Sequence, residues 1–340
     1  QGRARVAALL GAEPDEIVFT SGATEAINLA LKGVFEAWQV KGRHFITVKT
    51  EHKAVLDTCR RIRKWGGEVT LLDVRPDGLV DLDRLEAAIR PDTVMVAVMW
   101  ANNETGVIQP IAEIGAICAR HDVLFFSDAT QAVGKIPVQP KAAGVHLLAC
   151  SAHKMYGPKG VGALYVTRQP RIRLAPLIDG GGHERGLRSG TLNVPGIVGF
   201  GQAAAIALAE RDAEAARLQQ LRDRLEAGLT QLPEVYVNGA GAPRLPHVSN
   251  LMFRYVDAEA MLMSFNRYVA VSTGSACTSA TLEPSHVLRA MGLSDDDAHA
   301  SIRFSLGRFN TADEVEYVIE AVSEGVAQFR AESPMWQMFQ

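Results

Sequence analysis

The stretch Ile17-Val-Phe-Thr-Ser-Gly-Ala-Thr-Glu25 runs from a short apolar segment through small residues into a helical stripe, Ile27, Leu31, Val34 and Trp38. It reads as a strand, a tight turn and a helix with one core face. The alternation continues along the chain. Apolar runs at residues 44–49, 68–74, 93–100, 123–127, 145–150 and 162–166 are separated by helix-period segments such as Val55, Cys59 and Ile62. Strands alternating with helices predict an α/β domain on a largely parallel sheet. A Gly-rich polar stretch, 179–190, closes this region, and a long Ala/Leu/Arg/Glu segment, 195–232, reads as an interdomain helix. Strands at 235–238, 247–253, 269–272 and 301–305 follow, with a helix at 257–267 and a last one opened by the capping box Thr311-Ala-Asp-Glu314. The expected organisation is a large domain over 1–208 and a smaller C-terminal α+β domain over 209–340.

Composition removes several classes of function. The 340 residues suffice for two cores without disulfide or metal staples. Lys and Arg number 35 against 38 Asp and Glu, a net charge of −3, so no basic footprint for nucleic acid is present. No apolar run reaches the roughly 18 to 20 residues of a membrane span. Cys59, Cys118, Cys150 and Cys277 show no C-x-x-C spacing, which argues against a disulfide framework or a zinc site and for a reducing, cytoplasmic setting. Cys59 and Cys118 fall on core faces of helices. The first helical segment has no capping residue before it, which implies chain upstream.

Four motifs can carry chemistry. No phosphate-binding G-x-x-x-x-G-K-[ST] occurs, and the single G-x-G-x-x-A, starting at Gly199, follows no strand. The turn after residues 17–20 has backbone N–H groups and hydroxyls to offer a phosphate, or Ser21 or Thr24 simply caps the helix. Asp128 ends an apolar strand at the edge where α/β folds bind ligands, fit to hold a proton on a ring nitrogen while Gln131 donates to a ring oxygen. Alternatively, Asp128-x-x-Gln131 is a capping box. Lys154, in Ser151-Ala-His-Lys-Met-Tyr-Gly, follows the strand at 145–150, a position suited to an imine-forming amine. A phosphate cradle, an Asp for a pyridinium nitrogen and a Lys after a later strand together describe a pyridoxal 5′-phosphate site. Finally, residues 272–281 are all Gly, Ala, Ser, Thr or Cys, which predicts a mobile loop exposing Cys277 as a nucleophile.

These motifs resemble the cysteine desulfurases of the NifS/IscS group, class V, fold-type I pyridoxal-phosphate enzymes. The matching stretches include Phe19 to Glu25, Thr50 to Leu56, Asn102 to Val107, Ser127 to Lys135, His153 to Gly160, Gly180 to Thr191, Ser272 to Ala280 and Ser301 to Phe309. The resemblance implies release of sulfur from L-cysteine, giving L-alanine and an enzyme persulfide on Cys277. It implies that Lys154 holds the cofactor as an imine and carries protons, that Asp128 keeps the ring nitrogen protonated and that Gln131 bonds the phenolic oxygen. His52 stacks on the ring. Ala23 through its backbone, Thr24, Ser151 and His153 hold the phosphate, with Thr191 arriving from the other subunit of a homodimer. Arg303, helped by Asn103, takes the substrate carboxylate. Sulfur passes to an iron–sulfur cluster scaffold protein and other acceptors, Cys277 contacting a cluster on the scaffold; no metal, nucleic-acid or membrane site is implied. Taken alone, His52 reads as a capping histidine and Arg303 as a surface strand arginine, while His183, Arg185 and Arg188 stay unassigned.

The sequence departs from the group at three points. It begins after the segment with which members usually start, it stops before their scaffold-docking tail, and Ala152 stands where Gly is usual. Competing expectations are a selenocysteine lyase or aminotransferase of the same fold, or a catalytically silent sulfur-transfer subunit.

Overall fold

The computed structural model describes residues 1–265, 268–273 and 283–340. The chain divides into two compact units, one of residues 1–73, 80–102 and 109–212, the other of residues 74–79, 103–108 and 213–340.

The first unit is built on β1 (Ile17–Thr20), β2 (His44–Val48), β3 (Glu68–Leu72), β4 (Thr93–Ala97), β5 (Leu124–Asp128), β6 (Leu147–Ser151) and β7 (Gly162–Val166), in the order β1-β7-β6-β5-β4-β2-β3. β3, β2, β4, β5 and β6 are parallel, while β7 pairs antiparallel with both β6 and β1. Only β7 therefore runs against the rest, and the carboxyl ends of the other six lie along one edge. The helices are α1 (Gly2–Leu10), α2 (Ala23–Ala37), α3 (Lys53–Lys64), α4 (Leu82–Ala87) and α5 (Ile111–Arg120). Every residue of β1, β2, β4, β5, β6 and β7 is buried, as expected for a sheet covered on both faces. Ile27, Leu31 and Val34 of α2 and Val55, Cys59 and Ile62 of α3 join Phe45, Val94, Phe126, Leu147 and Leu164 in one core. The helical stripes read from the sequence are thus the packed faces. Cys59 and Cys118 are buried, and burial pushes both thiols up to about 12.

Helix α6 (Val194–Leu229) begins in the first unit and ends in the second. The second unit holds β8 (Val235–Val237), β9 (Val248–Phe253), α7 (Ala258–Phe265), β10 (Ser272–Thr273), α8 (His286–Ala290), α9 (Asp295–His299), β11 (Ser301–Ser305), α10 (Ala312–Glu332) and α11 (Pro334–Phe339). Its antiparallel sheet has the order β10-β11-β9-β8. Leu251, Phe253, Ile302 and Phe304 pack against Met261, Val315, Val322 and Val326 in a separate core. The capping box that opens α10 is formed in full, with the Glu314 N–H donating to Thr311 Oγ1 at 3.2 Å and the Thr311 N–H to Glu314 Oε2 at 3.1 Å.

Candidate active site

The chemistry-bearing residues of the first unit collect at the carboxyl edge of its sheet. Asp128 and Ser151 are the last residues of β5 and β6, and the registers set Asp128 opposite Ala149 and Ser151 opposite Gly162. Gly162 is also opposite Thr20, the last residue of β1. The turn at residues 20–22 and the end of β6 therefore lie on either side of one glycine. A Cβ on Gly162 would sit 2.6 Å from Gly22 Cα, so only glycine permits this approach. A Cβ on Gly22, by contrast, would meet only Ser151 Oγ, at 3.9 Å. The space before Gly22 is open and faces a hydroxyl.

Neither Ser21 nor Thr24 caps α2. Its N-cap is Gly22, no side chain accepts from its first turn, and the Ala26 N–H is the first to return to the helix, to Gly22 O at 3.1 Å. The leading N–H groups have no partner within the helix, an arrangement able to bind an anion. The turn is fastened from outside: the Ser21 N–H donates to Glu25 Oε2 at 2.8 Å, and Arg188 Nε donates to Glu25 Oε1 at 2.8 Å. Glu184, with a nearly inaccessible carboxylate, accepts from the Phe19 N–H at 2.8 Å and from Arg3. These contacts give Arg188 a place the sequence left open.

The capping box, the alternative reading of Asp128 and Gln131, is not formed. Instead, Asp128 Oδ1 accepts from the Thr130 N–H at 3.0 Å and from Thr130 Oγ1 at 2.5 Å, closing an Asx turn rather than a helix start. Asp128 is 5% exposed, and its backbone O accepts from the Trp100 N–H at 2.9 Å. Ser151 Oγ and His153 Nδ1 are 2.8 Å apart. Burial, then the charges of Lys154 and Lys159, hold the His153 ring below its ordinary value. Lys154 lies in the 3-10 turn Ala152–Met155 with its side chain exposed, so the cost of burying an ammonium does not apply to it. His52 is the N-cap of α3, its Nδ1 accepting from the Ala54 N–H at 3.1 Å; a neutral ring in this bond carries its proton on Nε2. Gln131 and Ala23 are half-buried, and Thr24 and Thr191 are exposed.

Glu51, beside His52, was not singled out by its residue type. It is fully buried, and its Oε1 accepts from the Met99 N–H at 2.5 Å. Burial first, then the charge of Asp128, pushes its carboxyl well above the usual range. An acidic residue three positions past the end of the buried strand β2 was the available signal.

In the second unit, Arg303 lies on β11 opposite Asn250 of β9, and its Nη1 donates to Asn103 O at 2.9 Å. The structure thus brings Arg303 and Asn103 together. Cys277 lies outside the described residues.

The aminotransferase class V family matches residues 1–318. The chain belongs to this family. Its class V membership carries pyridoxal-phosphate dependence as a family property, and the sheet described above is that of the fold-type I enzymes. A cysteine desulfurase IscS of Histophilus somni (strain 129Pt) is 57% identical over 337 residues, 99% of this chain and 83% of that one. Among solved structures, a NifS-like protein is 38% identical with a TM-score of 0.88, covering 96% of this chain and 86% of that one. SspA in complex with cysteine is also 38% identical, with a TM-score of 0.78, covering 91% of this class V chain and 86% of that one.

Proposed function

We propose that this chain is a pyridoxal-phosphate-dependent cysteine desulfurase, which takes the sulfur of L-cysteine onto Cys277 and releases L-alanine. One observation carries the reading: the uncapped start of α2, the Ser151 hydroxyl and the buried Asp128 carboxylate converge on one sheet edge, with Lys154 in the next turn. The open space before Gly22 fits a phosphate, and the acceptor-only Asp128 fits a protonated ring nitrogen. The identity to a cysteine desulfurase over nearly the whole chain supports the same reading.

Pyridoxal 5′-phosphate, when bound, supplies an electron sink for charge developing on the substrate carbons. The residues of this chain do the rest. The N–H groups of Ala23 and Thr24, with the side chains of Thr24, Ser151 and His153, hold the phosphate, and Thr191 reaches it from the second copy in a homodimer. Asp128 holds a proton on the ring nitrogen through a charge-assisted hydrogen bond, and Gln131 donates to the ring oxygen. Lys154 anchors the cofactor and moves the proton at the substrate carbon. His52 covers the ring, with Nε2 free to pass a proton. Arg303, with Asn103, takes the substrate carboxylate as a bidentate partner.

The Cys277 thiolate attacks the cysteine sulfur. An S–S bond forms, the substrate's C–S bond breaks, and its electron pair stays on the substrate carbon, which takes a proton and leaves as alanine. Sulfur is oxidised as carbon is reduced, so no outside oxidant is needed. The persulfide then serves an iron–sulfur cluster scaffold protein and other sulfur acceptors, Cys277 reaching the scaffold itself. A cytoplasmic, reducing setting accords with Cys59, Cys118 and Cys150, all buried and free of disulfides. No helix among the described residues is long and apolar enough to cross a membrane.

The test is sulfide release from cysteine by the purified yellow protein. Cys277→Ala is expected to abolish release and keep the borohydride-sensitive colour; unchanged release in that variant contradicts the reading.

A further inference from the structure

The chain after β4 goes on pairing with β5 past the last residue of either strand's ladder. The Val98 N–H donates to Phe126 O at 3.1 Å and the Trp100 N–H to Asp128 O at 2.9 Å, so residues 98–100 run alongside β5 as far as Asp128. Successive N–H groups of an extended chain point to opposite sides, so the Met99 N–H between them points to the side where β2 pairs with β4. By that level β2 has ended: Thr47 opposite Ala97 is its last pair with β4, and the chain turns after Val48. Met99 is buried, and a buried backbone donor needs an acceptor. Glu51 supplies it, Oε1 accepting from the Met99 N–H at 2.5 Å. A side-chain carboxyl thus stands in for the strand carbonyl that β2 no longer offers.

The same turn is tied at a second point, where Asn102 Nδ2 donates to Thr50 O at 3.0 Å. Thr50, Glu51, Met99 and Asn102 are all buried, so water competes for neither bond. His52 follows Glu51 directly and caps α3 through Nδ1, which sets the direction of its ring. A single run of bonds therefore leads from His52 through Glu51, Met99 and Trp100 to Asp128. The raised carboxyl of Glu51 is neutral near pH 7, so it accepts the Met99 N–H without setting a second negative charge beside Asp128.

We propose that Glu51 and Asn102 are positioning residues for the cofactor ring: they clamp the turn that carries His52 onto the extension of β4 that holds Asp128, so that the groups for the ring's face and for its nitrogen share one frame. This rests on the assignment of His52 and Asp128 to the ring given above. Glu51 and Asn102 touch neither substrate nor cofactor in this role.

The experiment titrates apoprotein with pyridoxal 5′-phosphate and then, at saturation, follows the visible band of the bound cofactor against pH. Glu51→Met keeps the volume and removes the acceptor, Glu51→Gln keeps a carbonyl oxygen for the Met99 N–H, and Asn102→Leu releases Thr50 O. Leu85→Ala, which opens a cavity behind α4, gives a comparison for loss of stability alone. The dissociation constant is expected to rise about tenfold or more in Glu51→Met and Asn102→Leu, and to stay within about threefold of wild type in Glu51→Gln and Leu85→Ala. The pH midpoint of the band is expected to move by about half a unit or more in the first two variants and to hold in the others. Asn102→Leu supplies the answer if Glu51→Met does not fold. Wild-type affinity or an unmoved midpoint in the clamp variants overturns the proposal, as does an equal loss in Glu51→Gln or in Leu85→Ala. Wild-type apoprotein that takes up no pyridoxal phosphate instead overturns the reading on which the proposal rests.

Discussion

Gly162 and Gly22 approach so closely that a single added methyl group on Gly162 would lie 2.6 Å from the Gly22 Cα and 2.7 Å from the Cys150 carbonyl oxygen. Both obstacles are backbone, so they cannot rotate away. Gly162→Ala is expected to push the β1–α2 turn off the end of β6, at a cost of about 1–3 kcal/mol, the usual range for overpacking. Cofactor retention should fall with stability, by about tenfold or more in dissociation constant. Thermal melting and pyridoxal-phosphate titration of the apoprotein check this; unchanged affinity would remove the turn from the phosphate site.

The Glu25–Arg188 pair predicts acid sensitivity at the same turn. Burial raises the Glu25 carboxyl, yet hydrogen bonds from Arg188 and Ser21 outweigh it and hold the group below its ordinary 4.5. A carboxyl lowered on folding stabilises above its unfolded value and loses that contribution as the pH falls through the folded one. Arg188→Leu is expected to cost about 1–2 kcal/mol near neutral pH and to flatten the decline in Tm below about pH 4.5. A parallel decline in both proteins contradicts it.

Glu51 works in the opposite sense. Its carboxyl is raised, so folding takes up a proton once the pH exceeds the unfolded value, and stability falls as the pH rises toward the folded one. Glu51→Gln, neutral at every pH, should therefore gain in Tm over the wild type as the pH increases from about 5 to about 8. Melting curves in that window show it, and a constant difference refutes it.

Thiol chemistry separates the cysteines. Burial pushes Cys59, Cys118 and Cys150 up to about 12, which leaves them as inert thiols in the native protein. Native alkylation at mildly alkaline pH should modify Cys277 alone, and alkylation in denaturant all four; intact mass reports both. Native labelling of Cys150, on the strand leading to Lys154, would contradict its burial.

Much of this was legible because polar residues at the ends of apolar strands are conspicuous. Asp128, Ser151 and Lys154 stand out against β5 and β6, and period-3.6 stripes gave α2 and α3 their core faces. The Asp128–Gln131 spacing left a cap open as an alternative, and it is not made because Thr130, one of the two residues between them, takes the Asp128 oxygen with its own N–H and hydroxyl. His52 is a capping histidine in its local bond, which its residue type alone suggested. Glu184 with Arg3, and Glu104 with Ser285, each span 181 positions, and no local pattern encodes such partners. Their signal is burial, which a surface-prone residue type conceals.

The central claim is that Cys277 accepts the sulfur of cysteine. The direct measurement is the mass of the protein before and after one equivalent of L-cysteine without reductant, with alanine quantified in the same sample. The account predicts a gain of one sulfur atom on the peptide containing Cys277, matched mole for mole by alanine. Alanine formed with no sulfur on that peptide, or sulfur carried by Cys59, Cys118 or Cys150, would contradict it.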